Sequence, residues 1–482
     1  MESIYLQSQI RELESLAMSY GISADEMMSR AGHAAFMTLK RNWPSAKTVL
    51  IICGSGNNGG DGYVLARLLQ ERAFEVQVRY VGDIASLKNE ALHAYEACKK
   101  AHIPIQAMDL HETWQADVLV DAFLGIGLKG ELRQEAKELI EKINASNLNI
   151  FSLDVPSGLD VNTGTGLPIA VNAQVTLTFI AKKIGLLTND GPDYCGTLFY
   201  DDLGLPNTLF EKITPIATSC DFSDATLSLL PRKKNSHKGD FGYVLILGGA
   251  PGMSGAVKLA GMGALRVGAG LVTVVTHEVH AHLININQPE LMSKEWSEKE
   301  SEHFFEKASV IVLGPGLGQS EWSKKVFEIS LRSNLPMIMD ADALNLLSQQ
   351  PQKRDNWILT PHPGEAARLL GTTTKAIQQD RLSAIKALQK QYGGVIVLKG
   401  CGTLIADSHT IKISTLGNPG MASGGMGDLL TGMIAGFFSQ HCSLMTAACL
   451  GVMTHARAGD AAVKNRQTPV GLLASDLVGY II

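Results

Sequence analysis

What the 482-residue chain lacks narrows its function before any motif is considered. Its seven cysteines (Cys53, Cys98, Cys195, Cys220, Cys401, Cys442 and Cys449) nowhere form a CxxC pair. Scattered and odd in number, they argue against a zinc knuckle or a disulfide framework and fit free thiols in a reducing compartment. No uninterrupted apolar run reaches membrane-spanning length, and the start, MESIYLQSQIRELESL, lacks the basic residues and apolar stretch of a signal peptide. A net charge of -5 gives no electrostatic reason to expect nucleic acid or an anionic membrane as partner. A cytoplasmic protein is expected.

The chain is longer than one hydrophobic core usually serves, so two domains are expected, 1–213 and 224–482, joined within the aperiodic, proline-containing stretch 212–231. Strands alternate with helices in both, which predicts α/β folds with parallel sheets.

The most informative stretch is GNPGMASGGMGD, Gly417 to Asp428, followed at once by the apolar helical run LLTGMIAGFF. Its five glycines keep side chains away from an approaching group, and backbone N–H groups at a helix start can converge on one anion. Asp428 stands where loop becomes helix. An anion hole beside a lone carboxylate suits phosphoryl transfer to a hydroxyl, the backbone holding the phosphoryl group while the acid takes the proton.

In the first half, Gln7 to Tyr20 has helical periodicity, and Ser23 with Glu26 predicts a capping box opening a second helix. The small residues Ala31, Gly32, Ala34 and Ala35 on that helix predict close packing. TVLIIC runs as a strand into GSGNNGGDG, where Gly54, Gly56 and Gly59 satisfy GxGxxG formally. Asn57, Asn58 and Asp61 among the glycines are unusual, because an acid repels a pyrophosphate. Their oxygens suit a cation or a sugar hydroxyl better, so a phosphate-containing ligand bound with help from a cation is expected. Two further strands end in DVLVDAFLGIGLKGE, at Asp121, and NIFSLDVPSGLDVNTG, at Asp154. In an open parallel sheet such carboxyl ends gather on one edge, where ligands bind.

In the second half, KKNSHKGDFG predicts a solvated basic loop. SVIVLGPGLG and PMIMDADALNLL end strands at glycines and at Asp340 and Asp342. His362, between two prolines in LTPHPGEAARLL, is expected at a strand's carboxyl end facing substrate, with Glu365 in the first turn of the following helix. GVIVLKGCGTLIAD predicts two strands joined by a turn short enough to hold a nucleotide over the sheet.

These motifs carry a resemblance. GSGNNGGDG, VDAFLGIGLKG and LDVPSGLDVNTG resemble the YjeF N-terminal family, the NAD(P)HX epimerases, with a Rossmann-like three-layer fold. KGDFGYVLILGGAPGMSGA, VLGPGLG, DADALNLL, LTPHPGEAARLLG, LKGCGT and GNPGMASGGMGD resemble the ADP-dependent NAD(P)HX dehydratases, which are ribokinase-like. The two families occur fused in this order in bacterial hydrate-repair proteins. The resemblance implies a first pocket for the hydrated nicotinamide nucleotide lined by Asn57, Asn58, Gly59, Gly60 and Asp61 and by Gly125, Ile126, Gly127, Leu128, Lys129, Gly130 and Glu131. Asp154 would contact substrate and do acid–base work, and Asn58, Asp121 and Ser157 would hold a potassium ion. Ile126 departs from the family's GTG, where a threonine is expected.

For the second half the resemblance implies ADP on Lys399, Gly400, Cys401, Gly402, Thr403 and Gly427, and NAD(P)HX on Ala256, Gly316, His362 and Asp428. Asp428 would take the hydroxyl proton as ADP, or ATP in its place, donates its terminal phosphoryl group with magnesium. The phosphate ester would then leave, restoring the dihydropyridine and releasing AMP and phosphate. The expected partners are NADHX or NADPHX, ADP and a second copy of the chain. The alternative reading is a ribokinase-type kinase of a vitamin precursor carrying a Rossmann-like nucleotide-binding domain.

Overall fold

The structure is a computed structural model, and it describes residues 2–127, 130–222, 229 and 232–481. The chain divides into two compact units, Glu2–Ala217 and Thr218–Ile482.

The first unit is built on a seven-stranded parallel sheet. In spatial order its strands are Ile105–Ala107, Glu75–Tyr80, Thr48–Cys53, Val118–Ala122, Asn149–Leu153, Val175–Phe179 and Thr197–Asp201. From Thr48–Cys53 the chain winds first to one side and later to the other, the strand order of dinucleotide-binding folds. Alternate residues feed opposite faces. Val49, Ile51, Val118 and Val120 pack with Met27, Ala31 and Leu65 from the helices Ala24–Asn42 and Asn57–Gln70. Leu50, Ile52 and Leu119 pack with Leu139, Ile140 and Ile143 from the helix Gln134–Asn144. Burial on both faces explains why these strands are continuous Val/Ile/Leu runs.

The predicted close packing around Ala31 is present: a Cβ at Gly32 would lie 2.3 Å from Val64 Cγ1 on the facing helix. The capping box is only half-formed. Ser23 Oγ accepts from the Glu26 N–H at 3.1 Å, but the Glu26 carboxylate pairs with Arg30 at 2.6 Å instead of reaching back.

In the second unit the strands run, in space, Met292–Glu295, Leu271–Thr276, Tyr243–Leu247, Val310–Leu313, Met337–Met339, Trp357–Leu359, Val395–Leu398, Thr403–Ala406 and Ile411–Ser414. Thr218 and Ser219 pair in parallel with Lys412 and Ile413 beyond the last of these. The pairs are parallel as far as Val395–Leu398, and the next two are antiparallel. Val244, Ile246, Val310 and Val312 share one core with the helices Ser254–Arg266, Met426–Ser439 and Leu444–Val463. Their alternates Leu245, Leu247, Ile311 and Leu313 are fully buried too, so this sheet is also covered on both faces.

Helices Ser254–Arg266 and Met426–Ser439 meet backbone to backbone: a Cβ at Gly432 would lie 1.8 Å from the Ala260 carbonyl oxygen. Gly432→Ala is therefore expected to cost about 3 kcal/mol of stability through overpacking, read as an earlier denaturant midpoint for the second unit. The basic run at Lys233, Lys234 and Lys238 is exposed, as a solvated loop should be. All seven cysteines are free, and among the described residues no helix is long and apolar enough to cross a membrane.

Candidate active sites

In the first unit a cavity of about 1170 Å³ opens at the carboxyl ends of the strands. Asn57, Asn58, Asp61, Gly125, Ile126, Gly127, Glu131 and Asp154 all line it, and Gly130 adjoins them in a positive-φ turn (+75°). Leu128 and Lys129 lie outside the described residues. The helix starts at Asn57, so the asparagines and Asp61 occupy its first turns, not a loop before it. Gly59 and Gly60 meet protein: a Cβ would sit 2.0 Å from Gly54 O and 2.4 Å from Met28 Cε, respectively. Ile126, itself partly buried, packs against buried apolar residues, and its carbonyl accepts a hydrogen bond from the Gln7 side-chain amide.

Asp121, Ser157 and Asn58 come together at the edge of this cavity. Asp121 is fully buried and accepts from Ser157 N (2.8 Å), Ser157 Oγ (2.5 Å) and Ser152 Oγ (2.9 Å). Asn58 Nδ2 donates to Leu124 O at 3.0 Å, and Ser157 Oγ lies 3.3 Å from the same carbonyl. Asn58 Oδ1 is buried with no hydrogen-bond partner. An unpaired buried amide oxygen beside a carbonyl, a hydroxyl and a carboxylate is a donor set that fits a hard cation ligated by oxygen. Among the described residues no cluster of His, Cys, Asp and Glu suggests a transition-metal site.

Asp154 follows directly on the strand Asn149–Leu153 with φ +61°, a conformation unusual for a non-glycine residue and one associated with functional sites. Two residues that the motifs did not indicate stand beside it. Lys183, fully buried, places Nζ 2.5 Å from Asp154 Oδ1. Glu14 reaches the cavity from the first helix. Burial, then the Asp154 and Glu14 charges, push the Asp61 carboxyl well above its usual range. Burial, followed by Asp154, raises Glu14 as well.

In the second unit four neighbouring strands deliver their carboxyl ends to one edge: Gly314 to Gly316, Asp340, His362 and Lys399. Gly316 (φ +55°) lies against the start of the helix Ser254–Arg266, where a Cβ would come 3.1 Å from Ala256 Cβ. The expected substrate residues Ala256 and Gly316 are thus adjacent. His362 caps the helix Pro363–Leu370: Nδ1 accepts from Gly364 N at 2.9 Å, while Glu365 accepts the His362 N–H at 2.8 Å. An accepting Nδ1 leaves the ring proton on Nε2. Burial and the nearby Lys399 charge hold this imidazole below its ordinary pKa, which keeps it neutral.

Lys399 is less a part of the turn than expected. Its ammonium reaches across the sheet to Asp340 Oδ1 at 2.6 Å, with Glu365 at 3.8 Å. Asp340 Oδ2 accepts from Thr431 Oγ1 at 2.9 Å, which ties the strand end to the helix Met426–Ser439. Burial acts to raise Asp340, but Lys399 and its hydrogen bonds prevail and hold the carboxyl below the usual range. Gly427 covers the pair: a Cβ there would be 3.2 Å from Lys399 Nζ and 3.3 Å from Asp340 Oδ2.

The turn itself runs through Gly400 (φ +135°), exposed Cys401 and Gly402 (φ +63°), and Thr403 Oγ1 donates to Gly400 O at 2.9 Å. Beneath it the buried Arg381 guanidinium contacts the carbonyls of Leu398, Lys399 and Gly402 at 3.2–3.4 Å.

The helix Met426–Ser439 begins after Gly425, which is left-handed at φ +88°. Leu429 N is its first intrahelical donor, to Gly425 O at 3.0 Å. The N–H groups of Met426, Gly427 and Asp428 therefore project from the helix end toward the strand edge, as an anion hole requires. The Asp428 carboxyl makes no hydrogen bond among the described residues. Burial first, then the Asp340 charge, raise it to about 7, against the opposing pull of Lys399. A carboxyl that changes charge near neutrality is matched to proton transfer there.

Residues 24–185 match the family model described as YjeF-related protein N-terminus, and residues 244–482 match that of NAD(P)H-hydrate dehydratase. The chain is 45% identical over its whole length to the bifunctional NAD(P)H-hydrate repair enzyme of Coxiella burnetii, of which it covers 99%. It is 44% identical to that of Escherichia coli over 95% of this chain and 88% of the relative. A solved ADP/ATP-dependent NAD(P)H-hydrate dehydratase from Bacillus subtilis, co-crystallised with ATP and magnesium, superimposes at TM-score 0.50 and 32% identity. That match covers 55% of this chain and 96% of that one. The chain belongs to the family of bifunctional NAD(P)H-hydrate repair enzymes.

Proposed function

We propose that the first unit interconverts the R and S hydrates of NADH and NADPH, and that the second dehydrates the S form at the expense of ADP. The observation that carries the reading is Asp428, a carboxyl raised to about 7 beside three outward-pointing N–H groups at a helix start. Hydration of a dihydronicotinamide puts a hydroxyl on the carbon next to the ring nitrogen. In this reading Asp428 takes that proton while the helix end holds the phosphoryl group arriving from ADP. Electrons from the ring nitrogen then expel phosphate, a far better leaving group than hydroxide, and loss of a proton from the adjacent ring carbon restores the reduced ring. Lys399 to Thr403 and Gly427 hold the nucleotide. Ala256, Gly316 and His362 receive the hydrate, the neutral imidazole offering its Nε2 proton. Magnesium accompanies the nucleotide phosphates.

The division of labour follows from stereochemistry, since hydration creates both epimers and a chiral dehydratase pocket accepts one. In the first cavity Asp154 carries the acid–base work. Asn58, Asp121 and Ser157 hold potassium, whose charge would satisfy the orphaned Asn58 oxygen. Replacing potassium by a bulky organic cation is accordingly expected to slow epimerisation at least tenfold and leave dehydration of S-NADHX unchanged, followed by the epimer ratio and by NADH formation.

Product analysis with S-NADHX, ADP and magnesium separates this reading from a vitamin-precursor kinase. NADH, AMP and free phosphate in equal amounts are expected. Failure to form NADH, with a stable phosphorylated product from a vitamin precursor, would favour the kinase.

A further inference from the structure

Asp154, on which the proposed epimerisation turns, has a lysine buried against it. Lys183 is fully buried, and its Nζ has three partners: Asp154 Oδ1 at 2.5 Å, Thr178 Oγ1 at 2.7 Å and Phe179 O at 2.8 Å. An ammonium has three protons to donate, and all three are used. Its neighbour Lys182 instead pairs at the surface with Glu2 at 2.7 Å.

The consequence for Asp154 is asymmetric. Oδ1 accepts from Lys183 Nζ, from Thr178 Oγ1 at 3.2 Å and from Phe179 N at 3.2 Å. Among the described residues no donor reaches Oδ2. One oxygen is saturated, and the other is left for whatever enters the cavity that Asp154 lines.

Cost makes the arrangement informative. Burying an ammonium requires compensation that a structural site obtains as well from apolar side chains of similar volume. Charged groups that line the same cavity include Asp61 from the helix Asn57–Gln70, and Glu14 and Arg11 from the helix Gln7–Ser19. Lys183 is the cation in hydrogen-bond contact with Asp154.

We infer that Lys183 is a positioning residue of the epimerase reaction: it fixes Asp154 in its left-handed backbone conformation and occupies Oδ1, so that Oδ2 is the base presented to the ring hydroxyl. The step it enables balances. Asp154 Oδ2 takes the hydroxyl proton, the bond between that carbon and the ring nitrogen breaks to give an aldehyde, and the nitrogen keeps the bonding pair and gains a proton from a neighbouring acid or water. Rotation about the adjacent carbon–carbon bond and reclosure, with both proton transfers reversed, yield the other epimer. No oxidant or reductant is needed.

This inference rests on the Asp154 reading, and the test separates the two. Conversion of R-NADHX to S-NADHX is followed by chromatography in the intact protein without ADP, so that the dehydratase is silent. Lys183→Met is expected to lower kcat about 100-fold, with KM within about threefold. Lys183→Arg, which keeps the charge, should recover at least tenfold of that loss. Thr178→Val, which removes one anchor of Nζ and keeps the lysine, guards against misfolding of the first variant. It should show a smaller loss in kcat, about tenfold, again with KM within about threefold. A Lys183→Met protein with the parent's kcat would overturn the inference, as would a Thr178→Val protein with the parent's kcat if Lys183→Met does not fold. Asp154→Asn turning over at the parent's rate would instead remove the reading beneath it.

Discussion

Asp428→Asn should abolish dehydration, lowering kcat by about 10³-fold or more while nucleotide binding and R-to-S conversion persist. The amide keeps the size of the carboxyl and its place at the third residue of the helix Met426–Ser439, so the N–H groups at the helix end still hold an anion. What is lost is the base. The pH dependence of the parent follows from the same group. Asp428 is raised to about 7, and the base form is the deprotonated one. Dehydration should rise about tenfold per pH unit below 7 and level off above it. A flat profile between pH 5 and 8 would disconnect Asp428 from the rate.

The second large effect concerns the buried pair below that helix. Asp340→Ala leaves the Lys399 ammonium without its partner at 2.6 Å and takes an acceptor from Thr431. Removing one member of a buried ion pair costs about 3–5 kcal/mol, which should appear as a lowered denaturant midpoint. The substitution also has a kinetic signature. Asp340 raises Asp428 and Lys399 lowers it. With Asp340 gone the acid limb of the remaining dehydration should move below 7, whereas Lys399→Met should move it above 7. Shifts in opposite directions from the two halves of one ion pair would not arise from general loosening of the site.

The residues that could be placed from sequence were those whose chemistry is local. Strands such as Thr48–Cys53 and Val310–Leu313 are short apolar runs ending in glycine, and burial on both sheet faces produces that pattern. Asp121, Asp154, Asp340 and Asp428 stood out because each terminates a strand or opens a helix within its own motif. What was not legible depends on partners distant along the chain. Lys183 sits in KK with nothing local to distinguish it from Lys182, yet one is buried on Asp154, 29 residues away, and the other lies at the surface. Lys399 looked like part of a nucleotide turn, and only the sheet order, which sets Met337–Met339 and Val395–Leu398 on either side of Trp357–Leu359, brings it to Asp340. The half-formed box at Ser23 has a similar cause: Arg30, one turn onward, competes for Glu26 and wins. The helical start at Asn57 was hidden by two glycines that in isolation read as loop, although contacts with Gly54 and Met28 require them within the helix.

The departure at Ile126 also acquires a physical account. The position contributes its backbone carbonyl to Gln7 and its side chain to apolar packing, neither of which needs a hydroxyl.

That one chain carries both halves of the repair can be checked in a single assay. Purified protein is given a defined mixture of R- and S-NADHX with ADP, magnesium and potassium, and the absorbance of reduced nicotinamide is followed to completion. Recovery of NADH beyond the S fraction present at the start, faster than the epimers interconvert unaided, is expected. Recovery that halts at the initial S fraction would contradict it by leaving a dehydratase without an epimerase, and no recovery with either ADP or ATP would contradict it altogether.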